Sequence, residues 1–267
     1  MMTEAIWKDF AQGALRLKPG RIARLVLNQP DRHNAMSRAM WEALPAACQA
    51  IEADQDIRVV IVEGAGGRAF CAGADISEFA EVYATADSTA SYNAAVREAQ
   101  ARLRDLMRPT IALVEGICVG GGCGIALACD LRFASERARF GITPARLGVG
   151  YSRHDTAQLV EKVGPARAKD MLFSGRLLEA DEALRIGLVD RVAPEGEIGP
   201  AAEAYAAALA ELSQTSILTA KAIINGLTDP EGSDPQRLDR MAADAFEGED
   251  FREGYRAFLE KRKPNFR

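Results

Sequence analysis

Two segments rich in small residues are the parts of this chain best suited to chemistry through the main chain. The first is Arg68-Ala-Phe-Cys-Ala-Gly-Ala-Asp-Ile76, reached across Gly64-Ala-Gly-Gly67. Small residues at Ala72, Gly73 and Ala74 let a ligand approach the backbone closely, and Asp75 is placed to cap whatever helix begins there. The second is Val114-Glu-Gly-Ile-Cys-Val-Gly-Gly-Gly-Cys-Gly-Ile-Ala-Leu-Ala-Cys-Asp130, where a strand-like run gives way to consecutive glycines and then to a small-residue helical run. The first amides of a helix have no intrahelical partner and carry partial positive charge. The amides of Gly120–Gly122 can therefore receive a carbonyl oxygen as it becomes anionic. Simple packing also places glycine-rich turns before helices. The spacing is wrong for a dinucleotide fingerprint, and no P-loop is present.

The elements that must position these segments are those of an α/β protein. Strand-like runs occur at Gly13–Lys18, Ile22–Leu27, Val59–Glu63, Ile111–Glu115 and Leu131–Ala134. Beyond Ser37, an N-cap candidate, Met40, Leu44, Ala47, Cys48 and Ile51 recur at helical spacing, with Pro45 expected to bend or crowd that helix. Tyr92, Ala95, Val96, Ala99, Leu103 and Leu106 repeat the pattern before Pro109. Strands alternating with helices imply parallel pairing. Past Pro165 the chain turns Ala- and Leu-rich, with helical runs at Glu203–Ser213, Thr215–Leu227, Arg237–Phe246 and Phe251–Lys261. The expected division is a core over residues 1–195 and a helical C-terminal region over 196–267 that serves assembly.

Composition narrows the function classes. With 267 residues, 48% of them hydrophobic and 27% charged, the chain can bury a large core without disulfide or metal staples. A formal charge of −5 and no basic block make nucleic acid an unlikely partner. No run is long enough to span a membrane, and the N-terminal Met1–Phe10 has no apolar signal core, so a cytoplasmic location is expected. Cys48, Cys71, Cys118, Cys123 and Cys129 are odd in number and match no zinc spacing; reduced thiols and no metal are expected.

Taken together and in this order, the two segments resemble the crotonase (enoyl-CoA hydratase/isomerase) superfamily. Collinear blocks extend the resemblance over nearly the whole chain: Leu27-Asn-Gln-Pro-Asp-Arg-His-Asn-Ala-Met36, Phe140-Gly-Ile-Thr-Pro-Ala-Arg-Leu-Gly148, the helix Val163–Gly175, Ala180–Val192, and Phe258-Leu-Glu-Lys-Arg-Lys-Pro-Asn-Phe266. The resemblance implies a spiral of ββα units, a homotrimer or a hexamer built as a dimer of trimers, and acyl-CoA thioesters as substrates. Coenzyme A would enter as part of the substrate, with no permanently bound cofactor. The resemblance assigns the thioester oxygen to the backbone N–H groups of Ala74 and Gly121. It places Arg32, His33, Ala35, Ala72, Asp75 and Ile76 around the coenzyme, with Phe258 and Lys261 reaching a neighbouring subunit's coenzyme site.

The chain departs from the hydratase pattern where acid–base chemistry is expected. Typical hydratases carry a glutamate just after the triple glycine and another after the Phe-Gly pair; here those positions are Gly124 and Pro144. Positioned acid–base groups each contribute roughly 10²–10⁴-fold to rate, so ordinary hydration is not expected. Thr143-Pro-Ala-Arg-Leu-Gly-Val-Gly-Tyr-Ser152 is similar to methylmalonyl-CoA decarboxylase-type members, although those carry a histidine where Ala74 stands. On that likeness Tyr151 faces the acyl group, as a proton donor or carboxylate-orienting group, or it merely packs against the acyl tail. His154 either touches substrate or sits at the surface, and Asp155 is expected to cap the helix starting near Thr156. Glu78 and Glu81 are weighed as substrate contacts against solvated helix residues, Arg146 as a pocket cation against a surface ion pair, and Asp130 as structural. The leading expectation is an acyl-CoA enzyme outside ordinary hydration, with decarboxylation or another acyl-CoA reaction favoured. The alternatives are a hydratase or isomerase using other acid–base residues, and a non-catalytic acyl-CoA-binding protein.

Overall fold

The computed structural model describes residues 6–228 and 233–266. The chain opens with β1 (Lys8–Phe10), β2 (Leu15–Lys18) and β3 (Ile22–Leu27), paired antiparallel in sequence. Helix α1 (Arg38–Glu52) follows, its N-terminus capped by the Ser37 side chain, which accepts from the Met40 amide. Pro45 sits inside α1, and the helix runs on without a break to Glu52.

A repeated unit then forms the body of the molecule. One strand enters a large sheet, the next enters a small sheet, and helix returns the chain for the following turn. The first unit is β4 (Val59–Gly64), β5 (Ala69–Cys71), α2 (Phe79–Val82) and α3 (Ala86–Arg104). The second is β6 (Thr110–Val114), β7 (Ile117–Val119) and α4 (Gly121–Ala128). The third is β8 (Leu131–Ser135), β9 (Arg139–Gly141), α5 (Pro144–Leu147) and α6 (Arg153–Ser174). Then β10 (Leu177–Glu179), α7 (Ala180–Arg185) and β11 (Arg191–Ala193) finish both sheets, and α8 (Ile198–Ala210), α9 (Gln214–Thr228), α10 (Pro235–Asp244) and α11 (Glu249–Leu259) complete the chain. The large sheet has the order β1-β2-β3-β4-β6-β8-β11, parallel from β3 onward, and the small one has the order β10-β9-β7-β5. This is the expected spiral of ββα units.

Alternation along the strands builds two cores. Val60, Val62, Ala112, Val114 and Ala134 face α1, α3, α4 and α6 in the larger core. Val59, Ile61, Ile111, Leu113 and Phe133 point the other way, against Ile198, Ala202, Ala206 and Ala210 of α8. Because both faces of the central strands are covered, they read as continuous apolar runs rather than alternating ones.

Several boundaries differ from the sequence reading. Gly13 lies in a short 3-10 turn, Ala11–Gly13, outside β2. The Val163–Gly175 block is the second half of α6, which begins at Arg153 and is interrupted at Gly164, where φ is 75°. The strands of the small sheet, three residues each, were not visible in the sequence because so short a run shows no period. Asp130 is structural, as expected: its Oδ2 accepts from the Thr110 amide at 2.7 Å, the Thr110 hydroxyl at 3.0 Å and Lys221 Nζ at 2.9 Å. It thus ties the end of α4 to β6 and to α9. Asp130→Ala leaves the buried Lys221 ammonium without its counter-charge, and should destabilise the fold by about 3 kcal/mol in urea unfolding.

Candidate active site

The two glycine-rich turns meet because β5 and β7 pair in parallel, so each strand delivers its following loop to the same edge of the small sheet. Gly73 (φ 104°) and Gly120 (φ 55°) turn the chain through conformations that other L-residues rarely adopt. The Gly120 amide is tied to the Gly141 carbonyl at 2.8 Å, and Met36 and Asp75 bracket Ala74 through bonds of 2.7 and 2.9 Å. Within this bonded frame the amides of Ala74 and Gly121 donate to no other group among the described residues. They are also close together: a Cβ added to Gly121 would lie 3.7 Å from the Ala74 nitrogen. The same Cβ would come within 3.0 Å of the Trp41 ring, so position 121 is bare because α1 places an indole against it. Two neighbouring, preorganised N–H donors can stabilise an oxygen that gains negative charge, whatever the protonation state of nearby side chains.

Both amides open on a cavity of about 320 Å³. One wall is aromatic: the rings of Phe79 and Tyr83 meet edge-on at 5.0 Å, and those of Tyr83 and Tyr92 at 5.7 Å. The opposite wall is Thr143, Pro144, Leu147 and Val149, in and after α5. At the far end stand Gln100 from α3, Tyr151, and Asp155 from α6. Asp155 is 8% exposed. Its Oδ2 accepts from the Ser152 hydroxyl at 2.6 Å, whereas its Oδ1 has no hydrogen-bond partner, nor have the Tyr151 hydroxyl and Gln100 Oε1. Burial, opposed by Ser152, His154 and the Gln100 amide, raises the Asp155 carboxyl above its ordinary range. The Tyr151 phenol is likewise held well above its usual value, first by burial and then by the Asp155 carboxylate.

The structure gathers Ala72, Ala74, Ile76, Gly121 and Tyr151 around this cavity. Asp75 stands behind them, its carboxylate paired with Arg32 at 2.6 Å and accepting from Ser77, as the cap of the turn Ile76–Glu78. Burial opposes its ionisation, but the bonds from Ser77 and Arg32 outweigh burial and hold the carboxyl below its usual range. His33 and Ala35 belong to the adjoining loop, which joins the site where the His33 carbonyl accepts from the Ala72 amide at 3.0 Å. The buried Asn34 side chain fixes that loop through Gln29, Ala65 and Ala69.

Other candidates fall elsewhere. His154 does not line the cavity; its ring lies 2.6 Å from the Gln158 amide on α6. Phe258, 81% exposed, and Lys261 stand at the end of α11, away from the cavity of their own chain. Glu78 accepts from the Arg38 amide, Glu81 is exposed, and the Arg146 stem packs by Gly175. The cap of α6 is Ser152 and not Asp155, because the helix starts at Arg153, earlier than expected; that shift turns Asp155 inward. Trp41 and Gln100 were missed, since each reads in sequence as an ordinary helix position.

Two neighbouring loop amides are thus presented by successive turns of a crotonase-type ββα spiral, and comparisons with known proteins show the family. The family model for enoyl-CoA hydratase/isomerase matches residues 18–267. A putative enoyl-CoA hydratase of Thermus thermophilus is 37% identical over 254 residues, covering 94% of this chain and all of that protein. A crotonyl-CoA hydratase of Syntrophomonas wolfei is 33% identical over 255 residues, with 93% and 95% covered. The crystal structure of a putative enoyl-CoA hydratase/isomerase family protein from Hyphomonas neptunium superposes with a TM-score of 0.91 at 40% identity, covering 95% of this chain and 97% of that one. The chain belongs to the enoyl-CoA hydratase/isomerase family.

Gly124 lies against Gln100 and Asp155 of the cavity wall. A Cβ there would lie 2.3 Å from Gln100 Nε2, so Gln100 occupies the space a side chain at 124 would need. Gly124→Ala should cost about 1–3 kcal/mol of stability through overpacking, and a Gln100→Ala background should recover most of it; thermal melts of the single and double variants test the coupling.

Proposed function

We propose that this protein is an enzyme acting on acyl-CoA thioesters, and that it works by stabilising an enolate through the Ala74 and Gly121 amides. The observation that carries the reading is the pair of adjacent, unpartnered amides opening on a cavity large enough for an acyl group. A reaction at the carbon beside a thioester drives charge onto the carbonyl oxygen. Donors already aimed at that oxygen stabilise the charged state more than the neutral ester, and so lower the barrier. The aromatic wall suits an acyl chain. The coenzyme would run along Arg32, His33, Ala35, Ala72, Asp75 and Ile76. Phe258 and Lys261, exposed beyond the chain's own cavity, suit contact with a neighbour's coenzyme in a homotrimer or a hexamer.

The reaction favoured lies outside two-glutamate water addition. Gly124 and Pro144 offer no carboxylate, which leaves decarboxylation or another enolate reaction as the better fit, with Tyr151 facing the acyl group. The second reading is a hydratase or isomerase using different acid–base residues, favoured by the names of the similar proteins. A panel of CoA esters followed by mass spectrometry separates them. Loss of CO₂ from methylmalonyl-CoA supports the first, and rapid addition of water to crotonyl-CoA establishes the second. Binding without turnover of any ester would make the protein an acyl-CoA carrier. For whichever ester turns over, Gly121→Pro, which deletes one donor, should lower kcat by about 10²–10³; an unchanged kcat would remove the oxyanion assignment.

A further inference from the structure

We propose that Asp155 is the acid–base residue of this cavity, its free Oδ1 exchanging a proton with the carbon beside the thioester carbonyl. The inference rests on the acyl-CoA reading above and adds to it the group that moves the proton.

Three observations converge on Asp155. First, its two oxygens have separate duties. Oδ2 accepts the Ser152 hydroxyl at the start of α6, while Oδ1 is buried without a hydrogen bond in the wall of the cavity. A buried carboxylate oxygen left unpartnered costs free energy that a purely structural residue has no reason to incur. Second, Oδ1 lies 3.6 Å from where a Cβ on Gly124 would stand. Gly124 is one helical turn along α4 from Gly121, so α6 brings a carboxylate to the flank of the helix that presents the oxyanion amide. Third, its neighbours support proton transfer. The Tyr151 hydroxyl, also unpartnered, shares the cavity, and the Gln100 amide stands close enough to favour the charged form of Asp155. The titratable groups nearest to Asp155 are Tyr151 and His154; α3 contributes neutral Gln100, and α4 contributes bare Gly124. Burial raises the carboxyl above its ordinary range, which makes its ionised form a stronger base.

The step needs no other reactant. Ionised Oδ1 takes a proton from the α-carbon, and the C–H electron pair becomes the second bond between that carbon and the carbonyl carbon. The carbonyl π pair moves onto oxygen, where the Ala74 and Gly121 amides hold it. Reversal returns a proton to the α-carbon. In D₂O the carboxyl re-equilibrates with solvent, so the α-hydrogen of a bound acyl-CoA is replaced by deuterium.

The test uses butyryl-CoA in D₂O, reading α-deuteration by mass spectrometry and affinity by calorimetry. Asp155→Asn, which keeps the shape and the Ser152 contact, should slow exchange by at least about 10²-fold while Kd stays within about threefold. Arg153→Ala, at an exposed position of the same helix that does not line the cavity, should leave exchange close to that of the wild type. If Asp155→Asn does not fold, Asp155→Ser carries the same comparison. Exchange that persists in the Asp155 variant, or falls equally in Arg153→Ala, overturns the assignment and leaves the acyl-CoA reading standing. A wild-type protein that binds butyryl-CoA without exchanging it also overturns the assignment. Absence of binding to any CoA thioester removes the underlying reading, and the inference with it.

Discussion

Parallel pairing of Ala69–Cys71 with Ile117–Val119 is the constraint on which the site depends. These strands are three residues long and would not hold together alone. They persist because the large sheet, one connection upstream of each, fixes where they start, and because α4 begins at the exact edge where β7 ends. Cys123 in the first turn of α4 reinforces that corner, its thiol lying 3.0 Å from the Cys118 carbonyl and 3.3 Å from that of Gly141. Cys71 and Cys118 lie buried beneath the same corner, and burial pushes the Cys71 thiol up to about 12, so it packs as an apolar group rather than reacting. The spacing of the two free amides is therefore a property of main-chain pairing.

The opposite end of the cavity is organised differently. There the polar atoms belong to side chains from α3 and α6, whose relative placement follows from helix packing rather than from strand register. The free amides and the polar side chains of the cavity thus come from separate structural layers. The first is rigid and depends little on sequence beyond small residues. The second is made by the side chains of Gln100, Tyr151 and Asp155 around the bare Gly124.

Much of this was legible in the sequence, for identifiable reasons. Long apolar runs marked β3, β4, β6 and β8, and small residues at Ala72–Ala74 and Gly120–Gly122 marked the two turns. The small sheet was not legible, because its strands are too short to show a period. Asp155 was misplaced by a few residues of helix boundary: with the start set near Thr156 it reads as a cap, and with the start at Arg153 it points into the cavity. Trp41 and Gln100 gave no local signal. Their importance comes from what they touch across the fold, Gly121 and Gly124, and a contact between distant residues leaves no trace in a single sequence.

The contact between Gly124 and Gln100 also bears on how such a site can change over time. Because the amide fills the volume that a side chain at 124 would require, installing a carboxylate there and vacating the space at 100 are not independent events. Either order passes through an intermediate that is overpacked or hollow, and each has its own stability penalty. The two positions are therefore coupled: a side chain at 124 requires Gln100 to move aside or be replaced.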